Sequence, residues 1–203
     1  VLCYRAADGH APDGPAGVAA LGRILARLHA LPVGRMAFRR VATAPRAIAR
    51  GILADLAGVT PGTAVQRLGA LAARAPRSRS REMSGGSIAL LHGDPVPGNV
   101  LVAQGLDAAV LIDWQCPGLG DPVHDVGLAL SPGMRALYGA APLTDEERAA
   151  FWDAYGHQAA RARYAVLAPL MSARIAAHFL AQAARGRPGY AAAAEVELAA
   201  LQE

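Results

Sequence analysis

The stretch LLHGDPVPGNVLV, residues 90–102, places a polar loop between two short apolar runs. The apolar ends are typical of buried strand pieces, and the polar middle is typical of a tight loop. Pro95 and Pro97 each fix φ near about −65° and therefore stiffen the loop. A stiff loop that carries the carboxylate of Asp94 and the amide of Asn99 holds these two groups at a set separation. A plain hairpin turn, in which both residues only form the turn, is the alternative for this segment.

The loop has the spacing H-x-D-x-x-x-x-N, and a second carboxylate follows a strand-like run. His92, Asp94 and Asn99 form the first group, and Asp113 ends the run VLID fourteen residues after the asparagine. Phosphoryl transfer needs one carboxylate that orients the attacking hydroxyl and accepts its proton, with an amide and another carboxylate holding Mg²⁺. Because Mg²⁺ takes few protein oxygens and keeps several waters, Asn99 and Asp113 are a sufficient ligand pair. We therefore expect a base at Asp94 and a Mg²⁺ site beside it.

Four groups of residues between 92 and 125 carry a family resemblance: His92-Gly93-Asp94, Asn99, Ile112-Asp113-Trp114, and Gly120-Asp121-Pro122 with Asp125. They resemble the motifs of the aminoglycoside phosphotransferase and choline/thiamine kinase family. The helical stretch at 21–31 resembles a helix upstream of the catalytic loop in that family. The resemblance implies a protein-kinase-like fold and transfer of the ATP γ-phosphate to a hydroxyl of a small molecule, such as choline, thiamine or an aminoglycoside.

The resemblance also assigns roles to individual residues, with ATP and Mg²⁺ as the cofactors. Asp94 is the catalytic base, and the metal ligands are Asn99 and Asp113. Leu101 and Ile112 are expected to line the adenine pocket.

Three further residues are expected to support the site. The expectation for His92 is that it hydrogen-bonds within the loop. The pair Asp121-Pro122 suits a helix N-cap followed by proline at the first helical position. Asp125, one turn into that helix, resembles the buried aspartate that bonds the catalytic loop in the family. By contrast, His29 is expected to be a packed or half-exposed side chain and not a ligand. Packed side chains are expected at Trp114, Trp152 and Cys116.

The expected fold class is α+β and mainly helical, a protein-kinase-like C-lobe with a short β-hairpin that carries the catalytic and metal residues. Thr144 and Glu147 are spaced as a capping box at the start of another helix. Helices are predicted at 16–31, 45–56, 61–75, 144–155, 163–185 and 190–201, and strands at 88–91, 100–102 and 108–112.

The domain organisation follows from what the sequence lacks. Kinases of this fold carry a Gly-rich loop and a lysine in an N-lobe, whereas this chain has no G-x-G-x-x-G and all 20 of its basic residues are arginine. We expect residues 1–15 to be the end of the hinge and a linker, and 16–203 to be the C-lobe. Within it, 90–125 holds the catalytic loop and metal motif, and 126–203 is the helical, substrate-side region. The N-lobe is expected to be missing, by truncation in preference to divergence, which would leave the isolated chain with almost no transfer activity.

Composition excludes several other classes of protein. Hydrophobic content of 53% with 18% charged residues indicates a folded globular protein. The formal charge of +4 does not indicate a nucleic-acid partner, because the arginines are dispersed and no aromatic platform accompanies them. No apolar run approaches the roughly 20 residues of a membrane span. Two cysteines provide no disulfide framework, which favours a cytoplasmic location.

Two alternative functions remain open from the sequence. One is a non-catalytic pseudokinase or a fragment that binds partners. The other is a metal-dependent phosphohydrolase of the His-Asp type, built on His124-Asp125 with His92. The acceptor is not readable from the sequence: family substrates are often cationic, and Trp114 after Asp113 leans toward the choline/thiamine members.

Overall fold

The computed structural model of the chain describes residues 8–34, 37–42, 44–76, 88–103 and 109–201. The helices are α1 (Gly14–His29), α2 (Pro45–Leu56), α3 (Thr63–Ala73), α4 (Val123–Leu130), α5 (Pro132–Leu137), α6 (Asp145–Tyr155), α7 (Gln158–Ala184) and α8 (Tyr190–Ala200). The strands are β1 (Arg39–Arg40), β2 (Ala89–Leu91), β3 (Val100–Val102), β4 (Ala109–Leu111) and β5 (Gly118–Gly120). A turn of 3-10 helix spans Pro97–Asn99.

Helices α1 and α6 pack side by side and form one part of the core. The apolar residues of α1 recur at helical spacing, so that Leu21, Leu25 and Leu28 are buried together. A Cβ at Gly22 would lie 2.5 Å from the Phe151 carbonyl oxygen, so glycine is needed where α1 approaches α6. The predicted capping box of α6 is confirmed, with reciprocal bonds between the residues at 144 and 147.

Helix α7 is the central helix of the fold and packs against α2, α3, α4 and α8. Its buried face includes Leu167 and Met171, which share a core cluster with Ile48 and Ile52 of α2. Within the described residues, α7 is the one helix long and apolar enough to cross a membrane by length and composition alone, and 50% of its apolar window is buried inside the fold. The packing of α7 against these helices explains why its composition is apolar.

Two small sheets bring the loop at 92–99 together with the segment after β4. In the first, β5 lies between β1, which is parallel to it, and β2, which is antiparallel. In the second, β3 and β4 form an antiparallel pair in which Val100 is opposite Leu111. The loop at 92–99 connects β2 of the first sheet to β3 of the second, and the segment at 112–117 connects β4 of the second sheet to β5 of the first. Both polar segments therefore cross from one sheet to the other.

The prediction of a mainly helical α+β fold is confirmed, and α2 has the predicted bounds. Helix α7 begins five residues earlier than predicted, at Gln158, because its alanine-rich first turn favours helix. Strands β1 and β5 were not predicted, since two exposed arginines and a Gly-Leu-Gly run lack the alternation and β-branched residues that mark strands. The expectations for residues 1–7 and for the first residue of the strand predicted at 108–112 lie outside the described residues.

Candidate active site

His92 follows β2 directly, and its imidazole is fully buried. Its Nε2 donates a hydrogen bond to the carbonyl oxygen of Ile112 at 2.9 Å. Its Nδ1 accepts a longer bond, 3.3 Å, from the backbone N–H of Asp94. The two bonds involve both ring nitrogens, so they fix the orientation of the imidazole. His92 therefore ties the start of the loop to the end of β4, as a supporting residue would.

Asp125 lies in the first turn of α4 and is fully buried. Its Oδ2 accepts a hydrogen bond from the backbone N–H of His92 at 2.8 Å, and its Oδ1 accepts one from Gly93 at 2.9 Å. A buried carboxylate is costly unless it is paired and hydrogen-bonded, and these amides supply part of that compensation. The arrangement holds the backbone of the loop against α4.

His29, at the end of α1, completes the surroundings of Asp125. Its Nε2 donates to Asp125 Oδ2 at 3.1 Å, and its Nδ1 accepts from the Tyr155 hydroxyl at 2.7 Å. The side chain is only 2% exposed, so it is packed as expected. The sequence did not predict the bond from His29 to Asp125, because residue spacing within α1 carries no information about a partner 96 residues away.

Gly93 has φ of +84°, a conformation that glycine adopts without steric cost. A Cβ at this position would overlap the carbonyl oxygen of Cys116. Glycine is therefore required where the loop crosses the segment that follows Asp113.

Asp94 and Asn99 are linked directly across the loop. The Asn99 Nδ2 donates to Asp94 Oδ2 at 2.9 Å and to the Asp94 carbonyl oxygen at 3.0 Å. Two acceptors on one side fix the orientation of the amide, so its Oδ1 is turned away from Asp94. Burial raises the pKa of Asp94 above its usual value, and the nearby charges of Asp113 and Asp125 act in the same direction, whereas His92 and the Asn99 bond oppose them.

Asp113 follows β4 with its carboxylate exposed. It is the one non-glycine residue in the described part of the chain with positive φ, +60°. Aspartate tolerates this left-handed region better than most residues. The backbone turn gives the carboxylate a position from which it acts electrostatically on Asp94.

The residues expected to hold Mg²⁺ fit that ion. The described residues contain no group of three His, Cys, Asp or Glu side chains that could hold a metal. Mg²⁺ does not need such a cage, since it binds through one or two protein oxygens together with waters and substrate phosphates. The Asn99 Oδ1, turned away from Asp94, and the exposed Asp113 carboxylate are hard oxygen donors of this kind.

Asp121 lies two residues before α4, and its side chain accepts a hydrogen bond from the first helical residue. Its Oδ1 accepts a hydrogen bond from the backbone N–H of Val123 at 3.1 Å, and its Oδ2 forms an ion pair with Arg163 of α7. The helix begins at Val123, one residue later than predicted, and Pro122 precedes it. Asp121 thus anchors the start of the helix that carries Asp125.

A cavity of about 600 Å³ opens beside Asp94, and we call it the Asp94 cavity. The ring of Tyr138 lies over Gly98, within 2.5 Å of where a Cβ would be, and so covers the loop at the edge of this cavity. Burial and the nearby Asp94 charge raise the pKa of Tyr138. Strand β1 and helices α2, α4, α5 and α7 all contribute to the walls, whose residues include Asp94, Tyr138, Ile48, Leu128, Met134 and Ile175.

The family is decided by a match to residues 3–169, which fit the model of the phosphotransferase enzyme family, APH. The chain belongs to the phosphotransferase enzyme family. No sequence among the curated proteins matches it.

Solved structures show which fold this phosphotransferase-family chain has. It is similar to a choline/ethanolamine kinase family protein from Mesorhizobium loti, with a TM-score of 0.67, 21% identity, and coverage of 93% of this chain and 62% of that one. An ethanolamine kinase from Plasmodium vivax gives a TM-score of 0.63 and 13% identity, with 97% and 63% covered. A choline kinase from Streptococcus pneumoniae gives 0.59 and 14%, with 91% and 63% covered. At these identities the likeness establishes a kinase-like fold, and the chain spans less than two thirds of each relative.

The remaining predicted residues of this family member lie around the hairpin. Leu101 in β3 and Ile112 after β4 are half-buried, and the Ile112 N–H donates to the Asn99 carbonyl oxygen at 3.0 Å. The prediction that Trp114 and Cys116 are packed was wrong, because Trp114 is 44% exposed and Cys116 is also exposed. Trp114 lies edge-on to His92 with ring centroids 4.6 Å apart, and Trp152 packs against the core as predicted.

The His-Asp phosphohydrolase alternative is not supported by the geometry. His124 Nε2 donates to the carbonyl oxygen of Ala42, while Asp125 is enclosed by loop amides. The two adjacent side chains therefore bond to different segments, and no three-residue metal cluster forms among the described residues.

Proposed function

We propose that this phosphotransferase transfers the γ-phosphate of ATP to a hydroxyl of a small molecule, with Asp94 as the catalytic base. The observation that carries the proposal is the bond from the Asn99 amide to the Asp94 carboxylate, on a loop held from behind by Asp125. This bond supports the placement of a catalytic base directly beside a metal ligand. Asp94 also lines a cavity that is large enough for a small-molecule acceptor.

In the proposed reaction, Asp94 orients the acceptor hydroxyl and takes its proton. The raised pKa of Asp94, caused first by burial, makes it a better proton acceptor than an ordinary aspartate. His92 and Asp125 fix the loop backbone, so the carboxylate is positioned before the acceptor arrives.

Asn99 and Asp113 are the residues that would hold Mg²⁺. When bound, the ion would bridge phosphate oxygens and neutralise their charge. Leu101 and Ile112 would contact the adenine of ATP, and their half-buried positions on the hairpin support this role.

We further assign residues 16–203 to a kinase-like C-lobe and residues 1–15 to the end of a hinge and a linker. Residues 90–125 would provide the catalytic and metal groups, and 126–203 the acceptor side. The pairing of His10 with Val102 supports the placement of the early segment beside the hairpin. The proposed location is cytoplasmic, with a small-molecule partner and neither nucleic acid nor membrane.

Replacing Asp94 with asparagine tests the base. The protein expressed from its complete gene is assayed with ATP, Mg²⁺ and a panel of amino alcohols, thiamine, aminoglycosides and hydroxy acids. Asp94→Asn should lower kcat by about 10²–10⁴-fold, the usual contribution of a general base. The affinity for ATP should change little, because the carboxylate faces the acceptor cavity.

Asp153→Asn is the matched control, since Asp153 is an exposed aspartate of α6 outside the site. Full activity of Asp94→Asn would contradict the assignment of the base. Nucleotide binding by an otherwise inactive wild-type protein would favour the pseudokinase.

A further inference from the structure

The walls of the Asp94 cavity carry more positively charged than negatively charged side chains. Arg39 and Arg40 of β1 and Arg174 of α7 line it. Asp94 is the one carboxylate among the lining residues that the structure describes. The cavity is therefore rich in cations apart from the base itself.

Not all of these cations are equally available to a ligand. Arg174 forms an ion pair with Asp55 of α2, so much of its charge is already balanced. Arg39 donates from Nη2 to the neutral carbonyl oxygen of Cys116 at 3.2 Å, and no carboxylate in the described part of the chain forms an ion pair with it. Arg39 and Arg40 are both exposed on a two-residue edge strand. The excess positive charge of the cavity thus lies along β1.

Arg39 is also held close to the catalytic loop. The Cys116 carbonyl that accepts its hydrogen bond is the same group that lies against Gly93, next to Asp94. A guanidinium fixed in this way needs little reordering to bind a ligand, which favours affinity. The planar donors of arginine suit carboxylate and phosphate oxygens.

The two lining histidines do not add to the positive charge. Burial lowers the pKa of His124 and of His178, so both rings are neutral near pH 7. They can exchange hydrogen bonds with a ligand but neither attract nor repel its charge. Between them the wall is apolar, with Leu128, Met134 and Ile175.

We propose that the acceptor carries an anionic group, a carboxylate or a phosphate, in addition to its hydroxyl and an apolar body. This inference rests on the proposed function. The acceptor oxygen would bond to the γ-phosphorus as the bond from that phosphorus to the β–γ bridging oxygen breaks. ADP leaves, and the hydroxyl proton passes to Asp94. The anionic group binds Arg39 and Arg40, where an amine would meet like charge.

Four six-carbon alcohols of matched length test this class. They are 6-hydroxyhexanoate, 6-hydroxyhexyl phosphate, 1,6-hexanediol and 6-amino-1-hexanol. Their binding to the protein is measured by calorimetry in the presence of ADP and Mg²⁺, and their phosphorylation is measured with ATP. At least one anionic compound should bind about tenfold or more tightly than the amine, the size of a charge-assisted hydrogen bond. The two anionic compounds distinguish a carboxylate from a phosphate.

Removing the β1 cations should remove the preference. The double variant with Arg39→Gln and Arg40→Gln should lose most of the tenfold discrimination without a change in the KM for ATP. Arg46→Gln, an exposed arginine of α2 that does not line the cavity, should keep the discrimination.

Binding and turnover separate this inference from the proposed function. Preferential binding of an anionic compound without phosphorylation of any alcohol would support the inference and count against the proposed function. Equal binding of all four compounds, including no binding, would overturn the inference, and so would tighter binding of the amine. A variant effect confined to the KM for ATP would overturn it as well, because the arginines would then bind nucleotide.

Discussion

The surroundings of Asp94 disfavour the charged form of its carboxylate. It is half-buried, and Asp113 and Asp125 add negative charge nearby. The Asn99 amide and His92 offset only part of this, so the pKa of Asp94 stays above its usual value. The charged form of this carboxylate therefore has a higher free energy in the folded protein than in the unfolded chain.

This cost predicts a pH-dependent effect of Asp94→Asn on stability. Because the pKa is raised on folding, the native state favours the protonated form. The loss of stability caused by the ionised Asp94 is absent below the unfolded pKa of about 3.9. It grows as the pH rises from that value to the native pKa, and it is constant above the native pKa. Asp94→Asn should therefore have a higher free energy of unfolding than wild type at neutral pH.

Urea unfolding at several pH values measures this difference, which should shrink toward about pH 4. The exposed Asp153→Asn should show no such trend. A difference for Asp94→Asn that stays the same across this range would refute the assigned cost of burying the charge.

At the scale of elements, the loop is held by helices that are distant in sequence. Asp125 of α4 accepts hydrogen bonds from two loop amides and from His29 of α1, and Tyr155 of α6 bonds the other side of the His29 ring. Three helices therefore meet behind the loop through one imidazole. This makes His29 a positioning residue, since it bonds Asp125 and not the reacting groups.

Substituting His29 tests that role. His29→Leu removes a donor from a buried carboxylate and should cost about 1–3 kcal/mol in the free energy of unfolding. It should also lower kcat while the KM for ATP changes little, because the loop backbone loses part of its support. His29→Asn keeps an N–H donor and should recover part of both losses.

The control is His10→Leu, at an exposed histidine whose ring bonds the carbonyl oxygen of the neighbouring Ala11. Loss of stability in His29→Leu with unchanged kcat would show that His29 stabilises the fold without positioning the loop.

At the scale of the whole molecule, one buried carboxylate joins three helices. Glu197 of α8 is 1% exposed. Its Oε2 accepts from the Ser131 hydroxyl at 2.6 Å and from the Gly133 N–H at 2.9 Å, and its Oε1 accepts from the Ser172 hydroxyl. These bonds connect α8 with the start of α5 and the middle of α7.

We expect Glu197→Ala to destabilise the entire fold, because it leaves two buried donors and the half-buried Ser172 hydroxyl without their acceptor. Each unsatisfied donor costs about 1–3 kcal/mol, so the free energy of unfolding should fall by roughly 3 kcal/mol or more. Glu195→Ala, an exposed glutamate two residues earlier on the same helix, should change it by less than about 0.5 kcal/mol. Thermal and urea unfolding of the two variants measure the contrast, and equal effects would rule out the anchoring role of Glu197.

The sequence by itself determined the features that depend on local spacing. The helical pattern of α2, the capping box of α6 and the placement of Asp94 and Asn99 on one stiff loop could all be predicted, because neighbours along the chain set them. The tertiary structure alone decided which distant residues meet. The His29–Asp125 bond, the exposure of Trp114 and the cations of β1 beside Asp94 arise from packing between segments far apart in the chain. Local spacing does not encode such contacts, since burial and the balance of charge in a cavity are set only when the elements assemble.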